Sequence, residues 1–375
     1  MTMLQVIVLV MAAIMPGEQD YVVAREAEGA GQLETAKSYY EKVMANSETL
    51  LPYASIRLAA CEAELGDREL ALEQCERVLA LYPTGPWVNM AKAQMAKINM
   101  DLGRHDTAAK LFDEALAETP RPWWFDDYEW DAAENQLEMP ETRTKGFIYF
   151  RNVVLNSRRL GRRVAASKIL AKSPVLEDQL AAAYGFVRSG EFKAAAEVVS
   201  SLSPEALETE NLIANWQALT ARIMVSQGRR EEGQNLLKKV AESHPGTEWA
   251  RYALYNAVRN SLSRDNLNEA RELCELIAEQ YPGAEETGNA LWRLASAYAD
   301  AGQASQAVAT YTRLAEVAPN HYNAGDALLR AGWIEFRQDH LDKAGEILEK
   351  LVNNHPDAGE METASYWAGV IYDRL

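Results

Sequence analysis

The chain has 375 residues, of which 48% are hydrophobic and 25% are charged, and its mean hydropathy is −0.30. This composition supplies enough apolar material for a large core and excludes a disordered chain. Because 55 Asp and Glu residues stand against 38 Lys and Arg residues, the formal charge is −17, which repels phosphate backbones and argues against nucleic acid as a main partner.

The chain opens with an apolar run from Leu4 to Met15. This run is shorter than the roughly 20 residues of a membrane-spanning helix, so we predict no transmembrane segment. Its length suits the apolar part of a secretory signal peptide, although no basic residue precedes it. We treat residues 1–15 as an apolar leader. It is either a signal-peptide remnant of a periplasmic or secreted protein or, in a cytoplasmic protein, a helix that packs on the first repeat.

Prolines and small residues recur with a fixed period after this leader. Prolines 37 residues apart stand at Pro83 and Pro120 and at Pro245, Pro282, Pro319 and Pro356. A small residue lies twelve positions before each of these prolines, at Ala71, Ala108, Gly233, Ala270, Ala307 and Ala344. The series extends, without a matching proline, to Ala36, Ala166 and Ala195. A second series lies about twelve positions earlier again, at Ala24, Ala59, Ala96, Ala183, Ala221, Val258, Ala295 and Gly332. Small side chains let two antiparallel helices approach closely, so each unit is predicted to contain two packed helices.

A glycine usually separates the two small residues of a unit, as Gly66 and Gly302 do, and is predicted to end the first helix in a left-handed cap. In the clearest unit, Ala307, Tyr311 and Leu314 share one face of the second helix, and Pro319 follows that helix. This pattern resembles the tetratricopeptide repeat, whose period is 34 residues. The resemblance implies an all-α solenoid, a right-handed superhelix of antiparallel helix pairs. We assign repeats to residues 16–120 and 143–375, the second range first irregular, then regular, with an incomplete last repeat.

An aromatic and acidic insertion at residues 121–142 interrupts the period, and the spacing from Ala108 to Ala166 is 58 residues. Its tryptophans are Trp123, Trp124 and Trp130. They either form a platform for a sugar or peptide or fill a kink in an irregular unit, and we favour the second interpretation. A basic cluster follows at Arg158, Arg159, Arg162 and Arg163. It either binds an anionic polymer or pairs with the carboxylates of the insertion, and we favour ion pairs.

The first helices of tetratricopeptide repeats line the concave face, which implies a groove for a protein or peptide partner. The residues of this chain in phase with that face are Tyr252, Tyr255, Arg259, Trp292, Ser296, Trp333, Phe336 and Tyr366. Aromatic residues and arginine are typical of binding hot spots, although an aromatic stripe also serves to pack one helix on the next. The Lys and Asn clamp of one subclass, which holds a C-terminal carboxylate, is not matched by these residues.

The sequence offers no catalytic or cofactor-binding motif. The five histidines are dispersed, and the three cysteines form no C-x-x-C pair, so we expect no metal or cofactor and three buried thiols. The longer period and the stretch from Ala364 to Gly369 resemble the superhelical region of bacterial soluble lytic murein transglycosylases. That resemblance implies a domain that guides peptidoglycan, with any catalytic domain beyond Leu375. Our main hypothesis is a non-catalytic scaffold for protein interactions in the bacterial cell envelope.

Overall fold

The computed structural model describes residues 17–117, 125–356 and 359–374, and these residues form twenty α-helices, two short 3-10 helices and no strand. The predicted all-α class is therefore confirmed. The structure separates into two compact units, Met1–Pro174 and Val175–Leu375. Within the described ranges no helix is both long and apolar enough to cross a bilayer. The apolar leader lies outside these ranges.

Unit 1 contains nine helices, four antiparallel pairs followed by one further helix. They are α1 (Glu18–Gly29), α2 (Leu33–Asn46), α3 (Leu51–Leu65), α4 (Arg68–Leu81), α5 (Pro86–Asp101), α6 (His105–Ala115), α7 (Phe125–Glu138), α8 (Arg143–Asn156) and α9 (Leu160–Leu170). Helix α9 packs on α8. Helix α7 falls in the predicted insertion and packs against α8, so the 58-residue spacing accommodates one additional helix.

Unit 2 contains five helix pairs and a final helix. They are α10 (Leu176–Arg188), α11 (Phe192–Ser201), α12 (Glu210–Ser226), α13 (Arg230–Ser243), α14 (Glu248–Leu262), α15 (Leu267–Gln280), α16 (Glu285–Asp300), α17 (Ala304–Val317), α18 (Ala324–Arg337), α19 (Leu341–Asn354) and α20 (Met361–Arg374). The first helices of successive pairs also touch one another, α10 with α12, α12 with α14 and α14 with α16. This lateral packing brings side chains from several repeats onto one face.

The two series of small residues mark the places where paired helices cross. Every Ala and the single Val in both series is fully buried, as the sequence predicted. At Gly233 the approach leaves no room for a side chain, because a Cβ atom there would lie 2.8 Å from the carbonyl oxygen of Ala221. A Cβ atom at Gly332 would meet the side chain of Leu348 at the same distance. Both contacts are closer than van der Waals packing allows. The crossing at Gly233 therefore requires glycine, because the crowding atom belongs to the backbone, whereas a side chain at position 332 would displace Leu348.

The turn between paired helices depends on one residue with positive φ. Six glycines hold this position, Gly31, Gly66, Gly103, Gly190, Gly228 and Gly302, with φ between 71° and 106°. The predicted left-handed turns are therefore present. Each lies five residues before the small residue of the second helix. Two pairs place an aspartate at the equivalent position, Asp265 with φ of 56° and Asp339 with φ of 63°.

Replacing Asp339 with glycine is expected to raise the free energy of unfolding of unit 2 by about 1 kcal/mol, because glycine has no Cβ to strain in the left-handed region. The reciprocal change, Gly302→Asp, should lower it by a similar amount, since no atom crowds that position and only the backbone angle matters. Chemical denaturation followed by circular dichroism measures both. Asp339→Asn controls for the lost charge, and an unchanged or lower stability of Asp339→Gly contradicts this account of the turn.

The three cysteines, Cys61, Cys75 and Cys274, are buried free thiols. Burial raises the pKa of the Cys75 thiol to about 12, so the reactive thiolate is not populated at neutral pH. The thiols act as small apolar groups in the helix interfaces.

Candidate functional site

The predicted groove residues lie on four first helices of unit 2. Helix α14 carries Tyr252, Tyr255 and Arg259; α16 carries Trp292 and Ser296; α18 carries Trp333 and Phe336; and α20 carries Tyr366. Every first helix from α14 onward therefore contributes to this set, and the second helices between them do not. Most of these side chains are only partly exposed, whereas Arg259 and Tyr366 are exposed.

Several of the aromatic rings pack against other rings. Trp292 meets Tyr311 edge to face with 5.4 Å between ring centroids. Trp333 meets Trp367 of the next first helix at 4.6 Å. Tyr366 also meets Trp367 edge to face, with 5.4 Å between centroids, but its side chain remains 65% exposed. The aromatic stripe thus holds repeats together, and the ring faces left open to a partner are few.

Arginine side chains add positive charge to this face of the first helices. The Arg259 guanidinium lies over the Tyr255 ring at 5.7 Å, and its Nη1 donates a hydrogen bond of 3.2 Å to the side-chain oxygen of Asn256. From the next first helix, Arg293 donates through Nε to the Tyr255 hydroxyl at 3.0 Å. On the preceding first helix, Arg222 is half-buried and lies close enough to Arg259 to repel it. We call Arg222, Arg259 and Arg293 the arginine strip.

The arginine strip has no carboxylate partner among the described residues. Although part of the Arg259 side chain is exposed, partial desolvation of its guanidinium group and the repulsion from Arg222 lower its pKa from the usual range. Nearby arginines of unit 2 are paired, as Arg264 is with Glu269 at 2.7 Å. Three adjacent unpaired guanidinium groups in a chain with a formal charge of −17 form a local positive surface that attracts anionic groups.

A cavity of about 350 Å³ lies beside the strip. Arg222 and Arg259 line it together with Phe192, Ser226 and Asn260. The Arg222 guanidinium lies 6.0 Å from the Phe192 ring centroid, and Val225 adds a second apolar side chain to the otherwise polar lining. This cavity gives an anionic side chain space to approach two guanidinium groups at once.

Only some residues of the aromatic and basic patch predicted in unit 1 lie within the described part of the chain. Trp123 and Trp124 lie outside the described residues. Trp130 lies on α7 and packs edge-on against Phe150 of α8, with 5.1 Å between centroids. The guanidinium of Arg162 lies over the Trp130 ring at 5.7 Å. Trp130 therefore joins α7 to α8 and supports a basic residue of α9.

The basic cluster of unit 1 is engaged with neighbouring groups. Arg159 and Arg162 each place a guanidinium nitrogen 2.6 Å from the same carboxylate oxygen of Asp127. Arg163 donates a hydrogen bond of 2.6 Å to the carbonyl oxygen of Ser157, and Arg158 is exposed. The ion pairs between the basic cluster and the insertion, which the sequence favoured, are present. They tie α9 to α7.

A cavity that sequence reasoning missed lies in unit 1 between α1, α3, α5, α7 and α9, and its volume is about 620 Å³. Tyrosine rings and charged groups line it. The signal that the sequence analysis missed is a recurring position, the residue directly after the small residue of each first helix. Arg25 and Lys97 directly follow the small residues Ala24 and Ala96, just as Arg222 follows Ala221 in the arginine strip. Searching that position through all repeats, instead of only after residue 252, finds Arg25 and Lys97 in unit 1 and Arg222 in unit 2, but not Arg293.

The unit 1 cavity contains a carboxyl group with unusual protonation. Burial raises the pKa of Asp131 to about 6, and the nearby Lys97 opposes this shift. An ionised Asp131 therefore costs folding free energy at neutral pH, since its ordinary pKa is about 4.

We expect Asp131→Asn to raise the free energy of unfolding at pH 7 by about 1 kcal/mol, since the ionised carboxylate is then absent. The difference from the unmodified chain should shrink as the pH falls from about 6 towards 4 and disappear only below the ordinary pKa of about 4, where the side chain is neutral in both the folded and unfolded states. Denaturant titrations across this range measure it, with the exposed Asp101→Asn as the control. A difference that stays constant with pH contradicts the assignment.

The family described as Tetratricopeptide repeat matches three segments of the chain, residues 53–85, 289–321 and 326–358. These segments cover the pairs α3 with α4, α16 with α17 and α18 with α19. Comparison with curated proteins found no match. The chain therefore contains tetratricopeptide repeats, which are typical of protein-interaction scaffolds.

Solved structures that resemble the chain include repeat proteins. The TPR domain of P58(IPK) has 15% identity and a TM-score of 0.27, with 96% of this chain and 98% of that chain covered. Yeast Tom70 has 12% identity, 96% coverage of both chains and a TM-score of 0.29. The structure of the APC/C hetero-tetramer Cut9–Hcn1 has 11% identity, 96% and 90% coverage and a TM-score of 0.34.

Proposed function

We propose that the chain is a non-catalytic scaffold whose arginine strip binds an acidic segment of a partner protein. The observation that carries this proposal is the group of three adjacent arginines, Arg222, Arg259 and Arg293, without a carboxylate partner in the described part of the chain. They lie on three consecutive first helices, α12, α14 and α16. An extended peptide that runs across these helices meets one guanidinium group on each.

Arginine suits this role because its planar guanidinium group binds a carboxylate through two parallel hydrogen bonds. Two of the three groups are already held in place. Tyr255 lies between Arg259 and Arg293 and contacts both, so less side-chain freedom is lost when a ligand binds. The neighbouring Phe192 offers an apolar surface for side chains between the acidic residues of the partner.

The acidic groups of the partner are proposed to be side chains within a peptide, and not its C-terminus. Where the C-terminal carboxylate clamp of one subclass of these repeats uses Lys and Asn, this chain has Tyr255, Arg259, Trp292 and Ser296. We further propose a setting in the bacterial cell envelope, which rests on the apolar leader at residues 1–15 and on the 37-residue period. None of the matches reported above is a lytic murein transglycosylase, and the peptidoglycan-guiding alternative remains a prediction.

A fluorescent peptide of alternating Glu and Ala with an amidated C-terminus tests the proposed specificity. We expect saturable binding that weakens as salt rises, because the attraction is between exposed charges. A peptide with Gln in place of every Glu should bind at least about tenfold more weakly. Fluorescence anisotropy measures both affinities.

Two matched triple variants distinguish an effect of the arginine strip on binding from an effect of net charge. Changing Arg222, Arg259 and Arg293 together to Gln should weaken binding of the Glu peptide by about tenfold or more. Changing Arg271, Arg313 and Lys350 together to Gln removes the same charge from second helices of the same unit and should leave the affinity within about twofold. Equal losses in both triple variants, or no binding by the unmodified chain, would falsify the proposal. Retention of the chain on peptidoglycan sacculi without Glu-peptide binding would favour the alternative.

A further inference from the structure

The unit 1 cavity holds several charged groups, most of which are already paired with each other. Glu28 accepts hydrogen bonds from Arg25 at 2.9 Å and from Nε of Arg57 at 3.1 Å. On the opposite wall, Asp127 pairs with Arg162 at 2.6 Å. These groups stabilise the walls of the cavity and leave little net charge for a ligand to neutralise.

Three further charged residues line the cavity without an ion-pair partner in the described part of the chain, Glu64 of α3, Lys97 of α5 and Asp131 of α7. Glu64 is exposed to solvent, so Lys97 and Asp131 are the two that a ligand would contact inside the cavity. They influence one another electrostatically, yet they lie beyond ion-pair distance. Both are partly buried, so each carries a charge that water solvates incompletely. A ligand that supplies a carboxylate to Lys97 and an ammonium group to Asp131 satisfies both.

The remaining lining fits an organic ligand of modest size. Tyr21, Tyr53 and Tyr128 present aromatic rings from α1, α3 and α7. Aromatic faces favour both apolar side chains and ammonium groups. The volume of about 620 Å³ lies within the range of small-molecule sites, roughly 300 to 1,000 Å³.

We infer that the unit 1 cavity binds a small zwitterion, an amino acid or a short peptide, with its carboxylate on Lys97 and its ammonium group on Asp131. This site is separate from the arginine strip, which lies in the other unit and has charge of one sign only. The inference therefore does not depend on the proposed function.

Isothermal titration of the purified full chain with alanine, dialanine and trialanine at millimolar concentration tests the ligand class. The length that binds best distinguishes a free amino acid from a short peptide. For that ligand, acetylation of the amine or amidation of the carboxylate should each weaken binding by about tenfold, since each removes one charged contact. Absence of saturable binding by all three ligands overturns the inference.

Two variants test which residue binds the carboxylate end of the ligand and which binds the ammonium end. Lys97→Met should abolish the preference for a free carboxylate over an amide while keeping the preference for a free amine. Asp131→Asn should do the opposite. Lys92→Met is the control on the same helix, because Lys92 pairs with Glu114 and does not line the cavity. Unchanged preferences in both cavity variants, with unfolding transitions that show them folded, overturn the assignment.

Discussion

The structure depends on the close approach of two antiparallel helices in every repeat. Fully buried small residues, twelve positions apart, allow this approach. Gly233 shows how tight it is, since a single Cβ atom there would come within 2.8 Å of the Ala221 carbonyl oxygen. A crossing this close requires a short turn between the two helices. The turn residue with positive φ lies five positions before the small residue of the second helix. The small residues thereby fix both the crossing point and the rotation of each helix.

The same constraint positions the charged side chains. Residues one position apart on a helix point about 100° away from one another. The side chain directly after the buried small residue therefore points in the same direction relative to the helix crossing in every first helix. Arg222 and Arg259 share this position in unit 2, as Lys97 does in unit 1. Lateral packing of the first helices brings Arg222 and Arg259 side by side, because their helices α12 and α14 are neighbours. Arg293 joins them from a different position on α16.

The fold was predictable from the sequence because its signals are local. The Ala, Gly and Pro periods reveal helix pairs without knowledge of distant contacts, and even the aspartates at the turns occupy the register of the missing glycines. The candidate sites were less predictable, since a charge becomes available to a ligand only if no other segment neutralises it. The basic cluster at residues 158–163 stood out in the sequence, but Asp127 engages Arg159 and Arg162. The sequence drew no attention to Arg222 and Arg293, because they stand singly in their helices, yet they lie unpaired beside Arg259.

The most direct test of the account is to map where an acidic peptide contacts the chain. A Glu-rich peptide with a photoreactive phenylalanine would be cross-linked to the purified protein, and the attached residues identified by mass spectrometry. The account predicts cross-links concentrated on α12, α14 and α16, around Arg222, Arg259 and Arg293, and competed by unlabelled Glu peptide. Competed cross-links that fall on the second helices of unit 2, or on unit 1, would contradict it.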